Sequence, residues 1–165
     1  MIKRLYDIYK LKNSNDDIKI FNLDGYKGYI KIVNIYDGDT FRAVVRIHNR
    51  NLKFTFRPIG YDAPEMKPRL NTPNRDNHIK QAHQAKKYFE DLISYDNKYK
   101  GCCFCKSQNI VYAECYKNDK YGRVLVNIFH EKGFEKSINT MMLESGLTMP
   151  YDGGTKKEFK NLMAK

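Results

Sequence analysis

Five short stretches with strand-like alternation, an amphipathic helix between the third and fourth, and helical patterns after the fifth predict an α+β, mainly β fold. The arrangement is that of a five-stranded Greek-key barrel of the OB type with two to three helices, a fold that commonly binds oligonucleotides on one face. Length and composition agree, since 165 residues at 41% apolar suffice for one compact domain with a real core.

Residues 1–26 mix Lys, Asp and Asn with few apolar positions and read as an N-terminal arm ahead of a domain over 27–165. "YIKIVNI" (29–35) is the first strand and "YDGD" the turn after it. "TFRAVVRI" (40–47) sets Phe41, Ala43, Val45 and Ile47 on one face and Arg42, Val44 and Arg46 on the other. "LKFTFRPI" (52–59) sets Leu52, Phe54 and Phe56 against Lys53, Thr55 and Arg57. A two-residue turn at Asn49 and Arg50 makes Phe41, Ala43, Val45 and Ile47 face Pro58, Phe56, Phe54 and Leu52, so the two apolar faces coincide. Extended outward, that register brings Asp37 to Asp39 opposite Gly60 to Asp62 and gathers distant acids at one hairpin end.

"NHIKQAHQAKKYFEDLI" (77–93) carries Ile79, Ala82, Ala85, Phe89, Leu92 and Ile93 at helical spacing, with Asn77 or Asp76 as N-cap. "NIVYAEC" (109–115) and "YGRVLVNIF" (121–129) supply the fourth and fifth strands. "EKSINTMMLESG" forms a helix that places Ile138, Met141 and Met142 toward the core and stops at Gly146. "TKKEFKNLMAK" suits a short basic last helix.

Lys and Arg outnumber Asp and Glu by 30 to 19, a formal charge of +11 that suits a polyanionic partner. Thirteen Tyr and nine Phe beside those cations favour single-stranded nucleic acid, whose unstacked bases need aromatic platforms. No run approaches the roughly 18 apolar residues of a membrane span. The opening "MIKRLYDIYKLKNSNDDIKI" lacks the continuous apolar stretch of a signal peptide, so an intracellular protein is expected. Cys102 and Cys105 form a C-x-x-C pair within "CCFC", but zinc there needs a fourth ligand. Cys115 faces the core of its strand, so free thiols on a connecting loop are the simpler reading of Cys102, Cys103 and Cys105.

Two carboxylates at one hairpin end, with no His or Cys beside them, form an oxygen-only site of the kind hard cations prefer. Arg57 suits a bidentate clamp on phosphate, and Glu65, held by Pro64, suits a proton acceptor for an attacking water. Each residue alone is ordinary, for a "DGD" turn and strand-end charges are common. Their convergence on one hairpin end is what distinguishes the set.

"DGDT" (37–40), "FRPIGYDAPE" (56–65) and "DKYGR" (119–123) resemble, in order and spacing, the three motif blocks of the staphylococcal nuclease (thermonuclease) family. The likeness runs from about residue 28 to 150. It implies an OB-fold endonuclease that uses one Ca²⁺ ion to cut DNA and RNA on the 5′-oxygen side of the phosphodiester, leaving 3′-phosphate ends. By motif position it makes Asp39 and Asp62 carboxylate ligands of the metal and the Ala63 carbonyl a backbone ligand. It makes Arg57 and Arg123 phosphate clamps and Glu65 the catalytic glutamate. Lys120 and Tyr121 match residues that line the nucleotide pocket, and Tyr151 aligns with a pocket tyrosine across a one-residue gap.

The chain departs from the pattern at Ala63, where the best-known member has Thr, so a main-chain ligand is expected to survive while a hydroxyl contact is lost. The N-terminal arm and "CCFC" lie outside the match, and "MPYDGGTK" is similar to versions of the domain carried by large DNA viruses. The rival expectation is a non-catalytic OB module that binds nucleic acid or protein. Such a module has no reason to keep Asp39, Arg57, Asp62, Glu65 and Arg123 together.

Overall fold

The structure is a computed structural model and describes residues 2–12, 14–94 and 109–153. The expected last helix and Cys102, Cys103 and Cys105 lie outside those residues.

The elements follow the order α1 (Ile2–Leu11), β1 (Lys27–Ile35), β2 (Phe41–Ile47), β3 (Arg50–Pro58), β4 (Gly60–Asp62), α2 (Arg75–Ile93), β5 (Ile110–Asn118), β6 (Val124–Phe129), α3 (Ile138–Glu144) and β7 (Met149–Tyr151). Strands β1, β2, β3, β6 and β5 close into a barrel in that order, and β4 pairs with β7 outside it. The fold is thus the mainly β, OB-like barrel that the alternation predicts, with three helices among the described residues, of which α2 and α3 are the expected ones. Closure rests on one parallel pairing, Phe56 with Val124, Arg57 with Leu125 and Pro58 with Val126. That seam brings the end of β3 beside the start of β6, and with it Arg57 near Arg123.

Alternation along the strands sends Ile30, Ile32, Phe41, Ala43, Val45, Phe56, Val111, Ala113, Val126 and Ile128 inward, all buried. Phe41 and Phe56 stack with ring centroids 5.4 Å apart, and Phe89 of α2 packs on Phe41 at 5.7 Å. Helix α2 buries Ala82, Ala85, Phe89 and Ile93, the stripe its spacing dictates. Met142 and Cys115 are buried as core filling, and burial pushes the Cys115 thiol up to about 12.

Four expectations are corrected. The β2–β3 turn is His48–Asn49, so Phe41 pairs with Phe56, Ala43 with Phe54, Val45 with Leu52 and Ile47 with Arg50. Both turn residues take positive φ, 46° and 63°, whose twist matches that of the flanking strands in a tight hairpin. The expected register was wrong by two residues, a shift that leaves every side chain on its expected face because strand side chains repeat every two. Helix α2 begins at Arg75, with Asn74 in the left-handed region as N-cap and no side-chain cap bond. The Asn74 carbonyl takes the first bonds, from the amides of Asn77 and His78.

The fifth barrel strand starts at Val124 because residues 119–123 form a turn in which the Asp119 amide donates to the Arg123 carbonyl. The arm contains helix α1, whose Leu5, Tyr6, Ile8 and Tyr9 are exposed, while Leu23 near its end belongs to the core. Strands β4 and β7 were not anticipated, because three-residue segments carry no periodicity to read.

Buried Asn139 of α3 fastens the parallel seam. Its amide nitrogen donates to the carbonyls of Ile59 (2.9 Å) and Val126 (3.0 Å), and its oxygen accepts from the Ile128 amide (3.1 Å). The Val126 carbonyl also accepts from the Ile59 amide at 3.0 Å, so Asn139 adds a second bond there and ties both sides of the seam to α3.

Candidate active site

The "DGDT" turn follows β1. The Asp37 carboxylate accepts from the Asp39 amide at 3.0 Å, and the amides of Tyr36 and Asp37 donate to the Thr40 carbonyl. Gly38 is there for space: a Cβ on it would lie 2.9 Å from the Ala63 Cβ and 3.2 Å from the Ala85 Cβ. The fully buried Tyr61 donates its hydroxyl to the Gly38 carbonyl at 2.8 Å, tying this turn to β4.

After Pro58 the chain bends at Gly60, whose φ of +89° suits glycine and lets β4 leave the barrel. This bend, rather than continued hairpin pairing, carries Asp62 back over the site. The Ala63 amide then donates to Asp39 Oδ2 at 3.2 Å.

Asp37, Asp39, Asp62 and Arg57 are all buried. Arg57 stands between two of the acids, with Nη1 3.1 Å from Asp39 Oδ2 and Nη2 2.6 Å from Asp62 Oδ1. Asp39 Oδ1 also accepts from the Thr40 hydroxyl at 3.0 Å. Burial, and then the neighbouring Asp37, push the Asp39 carboxyl up to about 7; the Arg57 charge opposes this and Asp62 adds to it. Burial works against the charge of Arg57, but Asp39 and Asp62 outweigh it and hold the guanidinium above its ordinary value. Three buried carboxyl groups stand against one buried guanidinium, and the raised Asp39 relieves part of that crowding by holding its proton up to about pH 7.

Arg123 is positioned separately. Its Nε donates to Asp119 Oδ2 at 2.7 Å and its Nη1 to the Thr40 hydroxyl at 3.0 Å. Asp119 Oδ1 accepts from the amides of Tyr121 (2.8 Å) and Arg123 (2.9 Å). Burial raises the Asp119 pKa, yet these bonds and the Arg123 charge prevail and hold it below the usual carboxylate value. Thr40 therefore joins Asp39 to Arg123 through one hydroxyl.

A cavity of about 360 Å³ is lined by Asp37, Asp39, Arg57, Ala63, Glu65, Tyr121 and Arg123. Six of the residues singled out from the sequence thus share one space, and Asp62 touches it through Arg57. Glu65 is exposed at the cavity wall. Tyr151 lines a second cavity of about 540 Å³ that Arg57 also lines, together with Gly60, Leu125 and Pro150, and its ring centroid lies 5.2 Å from the guanidinium carbon. Lys120 lines neither cavity; its ammonium rests 5.1 Å from the Tyr121 ring, and the Arg123 guanidinium lies 5.5 Å from the same ring.

Sequence reading missed Thr40, Asp119 and Asn139 as contributors. The first two sit inside quoted motif blocks, where short polar side chains able to bond their own turn were a usable signal. Asn139 looks like any helix-surface polar residue and had no such signal.

Among the described residues, no three His, Cys, Asp or Glu side chains are grouped to hold a metal by themselves. The donors that are present suit a hard divalent cation: buried, oxygen-only and in negative excess, with part of the shell left to a carbonyl, water and substrate. Among the described residues no helix is long and apolar enough to cross a membrane. No protein-family model matches the chain, and no curated protein matches it significantly.

Proposed function

We propose that the protein is a Ca²⁺-dependent endonuclease of the thermonuclease type that hydrolyses phosphodiester bonds of single-stranded DNA and RNA and leaves 3′-phosphate ends. The observation that carries this reading is the excess of buried carboxylate around Arg57, opening into one cavity with Glu65 and Arg123. Asp39 and Asp62 would hold the ion with the Ala63 carbonyl. When bound, Ca²⁺ supplies neutralisation of charge on the phosphate.

The chain's own groups do the rest. A guanidinium has five N–H donors. Arg57 can therefore keep Asp39 and Asp62 and still donate to a non-bridging phosphate oxygen, which grips the substrate without releasing the acids. Arg123, fixed by Asp119 and Thr40 and lining the same cavity, donates to the same phosphate. Glu65 accepts a proton from the water that attacks phosphorus, the bond to the 5′-oxygen breaks, and that oxygen takes a proton from solvent and leaves as a 5′-hydroxyl. Tyr121 in this cavity and Tyr151 in the adjoining one offer ring faces for flanking bases.

One observation favours a second reading, a non-catalytic nucleic-acid or protein-binding module. Arg57 closes on both acids at 3.1 Å or less, which is also how a purely structural ion network is built. The deciding experiment incubates purified protein with labelled single-stranded DNA and RNA in Ca²⁺, in chelator, and as Glu65→Ser. Cutting that disappears in chelator and in the folded variant is expected. Undiminished cutting in either case overturns the mechanism, and binding without any cutting selects the module.

A further inference from the structure

Helix α1 differs from the other two. Helix α2 buries Ala82, Ala85, Phe89 and Ile93, and α3 buries Ile138 and Met142, whereas every residue of α1 from Lys3 to Leu11 is exposed. Its ten residues are too few to hold a helix firmly in water without a packed face. An apolar stripe is present all the same. At about 3.6 residues per turn, Leu5, Ile8 and Tyr9 share one side with Tyr6 beside them, an arc of roughly 160°. All four are more than half exposed, and Leu11 falls outside the arc.

Charge is arranged around that stripe. Arg4 borders it on one side and Lys10 on the other, with Lys3 next to Lys10, and the sole acid of the helix, Asp7, lies opposite its middle. Lys12 follows the last helical residue. Among the described residues Lys3, Arg4, Lys10 and Lys12 form no ion pair, and the Lys10 ammonium rests 5.5 Å from the Tyr6 ring. Cations at both borders of an apolar stripe, with tyrosines in it, suit a helix that lies between lipid headgroups and acyl chains. The cations meet anionic headgroups while the apolar side chains enter hydrocarbon. A polynucleotide would answer the cations but give Leu5 and Ile8 no hydrocarbon to enter. Ten residues reach about half the length of a membrane span, so α1 can lie in the interface and not cross it. The arm allows this, since residues 14–22 are exposed and the chain reaches the core at Leu23.

We propose that α1 anchors the protein to the surface of an anionic lipid bilayer, with Leu5, Tyr6, Ile8 and Tyr9 at the acyl boundary and Lys3, Arg4, Lys10 and Lys12 among the headgroups. This goes beyond the reaction proposed above, for it brings the barrel to a membrane surface whatever the cavity cleaves.

The test mixes the full chain with sedimentable vesicles of phosphatidylcholine, alone or with about a third phosphatidylserine, in chelator so that no divalent ion bridges protein and lipid. The parent is compared with Leu5→Ser/Ile8→Ser, with Lys3→Gln/Lys10→Gln, and with a control, Val33→Ser/Leu70→Ser, that removes exposed apolar side chains outside α1. Thermal melting verifies that all are folded. The parent should bind the anionic vesicles about 10-fold or more tightly than the neutral ones and leave them at high salt. Each α1 variant should bind the anionic vesicles about 10-fold or more weakly, and the control should change binding less than about 3-fold. The chain has no Trp, so Tyr6→Trp gives a single reporter, whose emission should move to shorter wavelength with anionic vesicles and stay unchanged with oligothymidylate. A parent that ignores anionic vesicles, or equal binding by the Leu5→Ser/Ile8→Ser variant and the control, overturns the anchor. So does reporter emission that answers oligothymidylate and not vesicles, which makes α1 a nucleic-acid element. Self-association of the parent without lipid, abolished by Leu5→Ser/Ile8→Ser, also overturns it and makes the partner a second copy.

Discussion

At one end of the β2–β3 hairpin His48 and Asn49 turn the chain in solvent, and at the other Asp39 and Arg57 are buried together with Asp62. The same two strands thus finish in opposite ways. The turn end is satisfied locally, by two residues that accept positive φ. The open end is satisfied only by chain from elsewhere: β4 brings Asp62, the 119–123 turn brings Arg123, and α3 brings Asn139. A buried polar site needs partners from several elements, whereas an exposed turn needs none.

The strongest way to break this contrast is Arg57→Met. Removing the guanidinium leaves Asp39 and Asp62 buried without their partner, and a cost of about 3–5 kcal/mol is expected in urea unfolding without metal. Added Ca²⁺ should recover part of the loss, since a ligand that binds only the folded protein stabilises it. A cost below about 1 kcal/mol would mean that solvent already compensates the acids.

A second, smaller effect concerns pH. Asp39 has a raised folded value, so in chelator its contribution to stability is complete below the ordinary carboxylate value of about 3.8 and declines as pH rises to about 7. Unfolded chain releases this proton earlier than folded chain, which fixes the sign. Asp119, with a depressed value, works oppositely: its contribution is present above the ordinary carboxylate range and is lost as pH falls. Asp39→Asn should therefore remove a downward slope of stability between pH 5 and about 7, seen by urea melts. An unchanged slope in that variant would remove Asp39 as its source.

The smallest effect belongs to the turn end. His48→Asn with Asn49→Gly creates the pair best suited to two positive φ angles, and should raise stability by less than about 1 kcal/mol in thermal melts. A loss instead would show that His48 or Asn49 has a tertiary role.

Much of the barrel was legible from alternation, because a strand with one face inward repeats every two residues whatever its partner. Even a register wrong by two residues kept Phe41, Val45 and Phe56 in the core and Arg42 and Arg46 outside. The site was legible as a set of residue types, since acids, arginines and a glutamate recur at suggestive places. Its wiring was not. Nothing local says that Arg57 binds Asp39 and Asp62 together, that Thr40 joins Asp39 to Arg123, or that Asn139 fastens the β3–β6 seam.

By itself, then, the sequence of this protein determined which faces are apolar, where α2 and α3 run, and which charges gather near the ends of β2 and β3. Tertiary structure alone decided the parallel closure of β3 on β6 and the bend at Gly60 that returns Asp62 to Arg57. The reason is physical: alternation and helical spacing are properties of neighbouring residues, whereas a buried charge is held only where distant parts of the chain meet and exclude water.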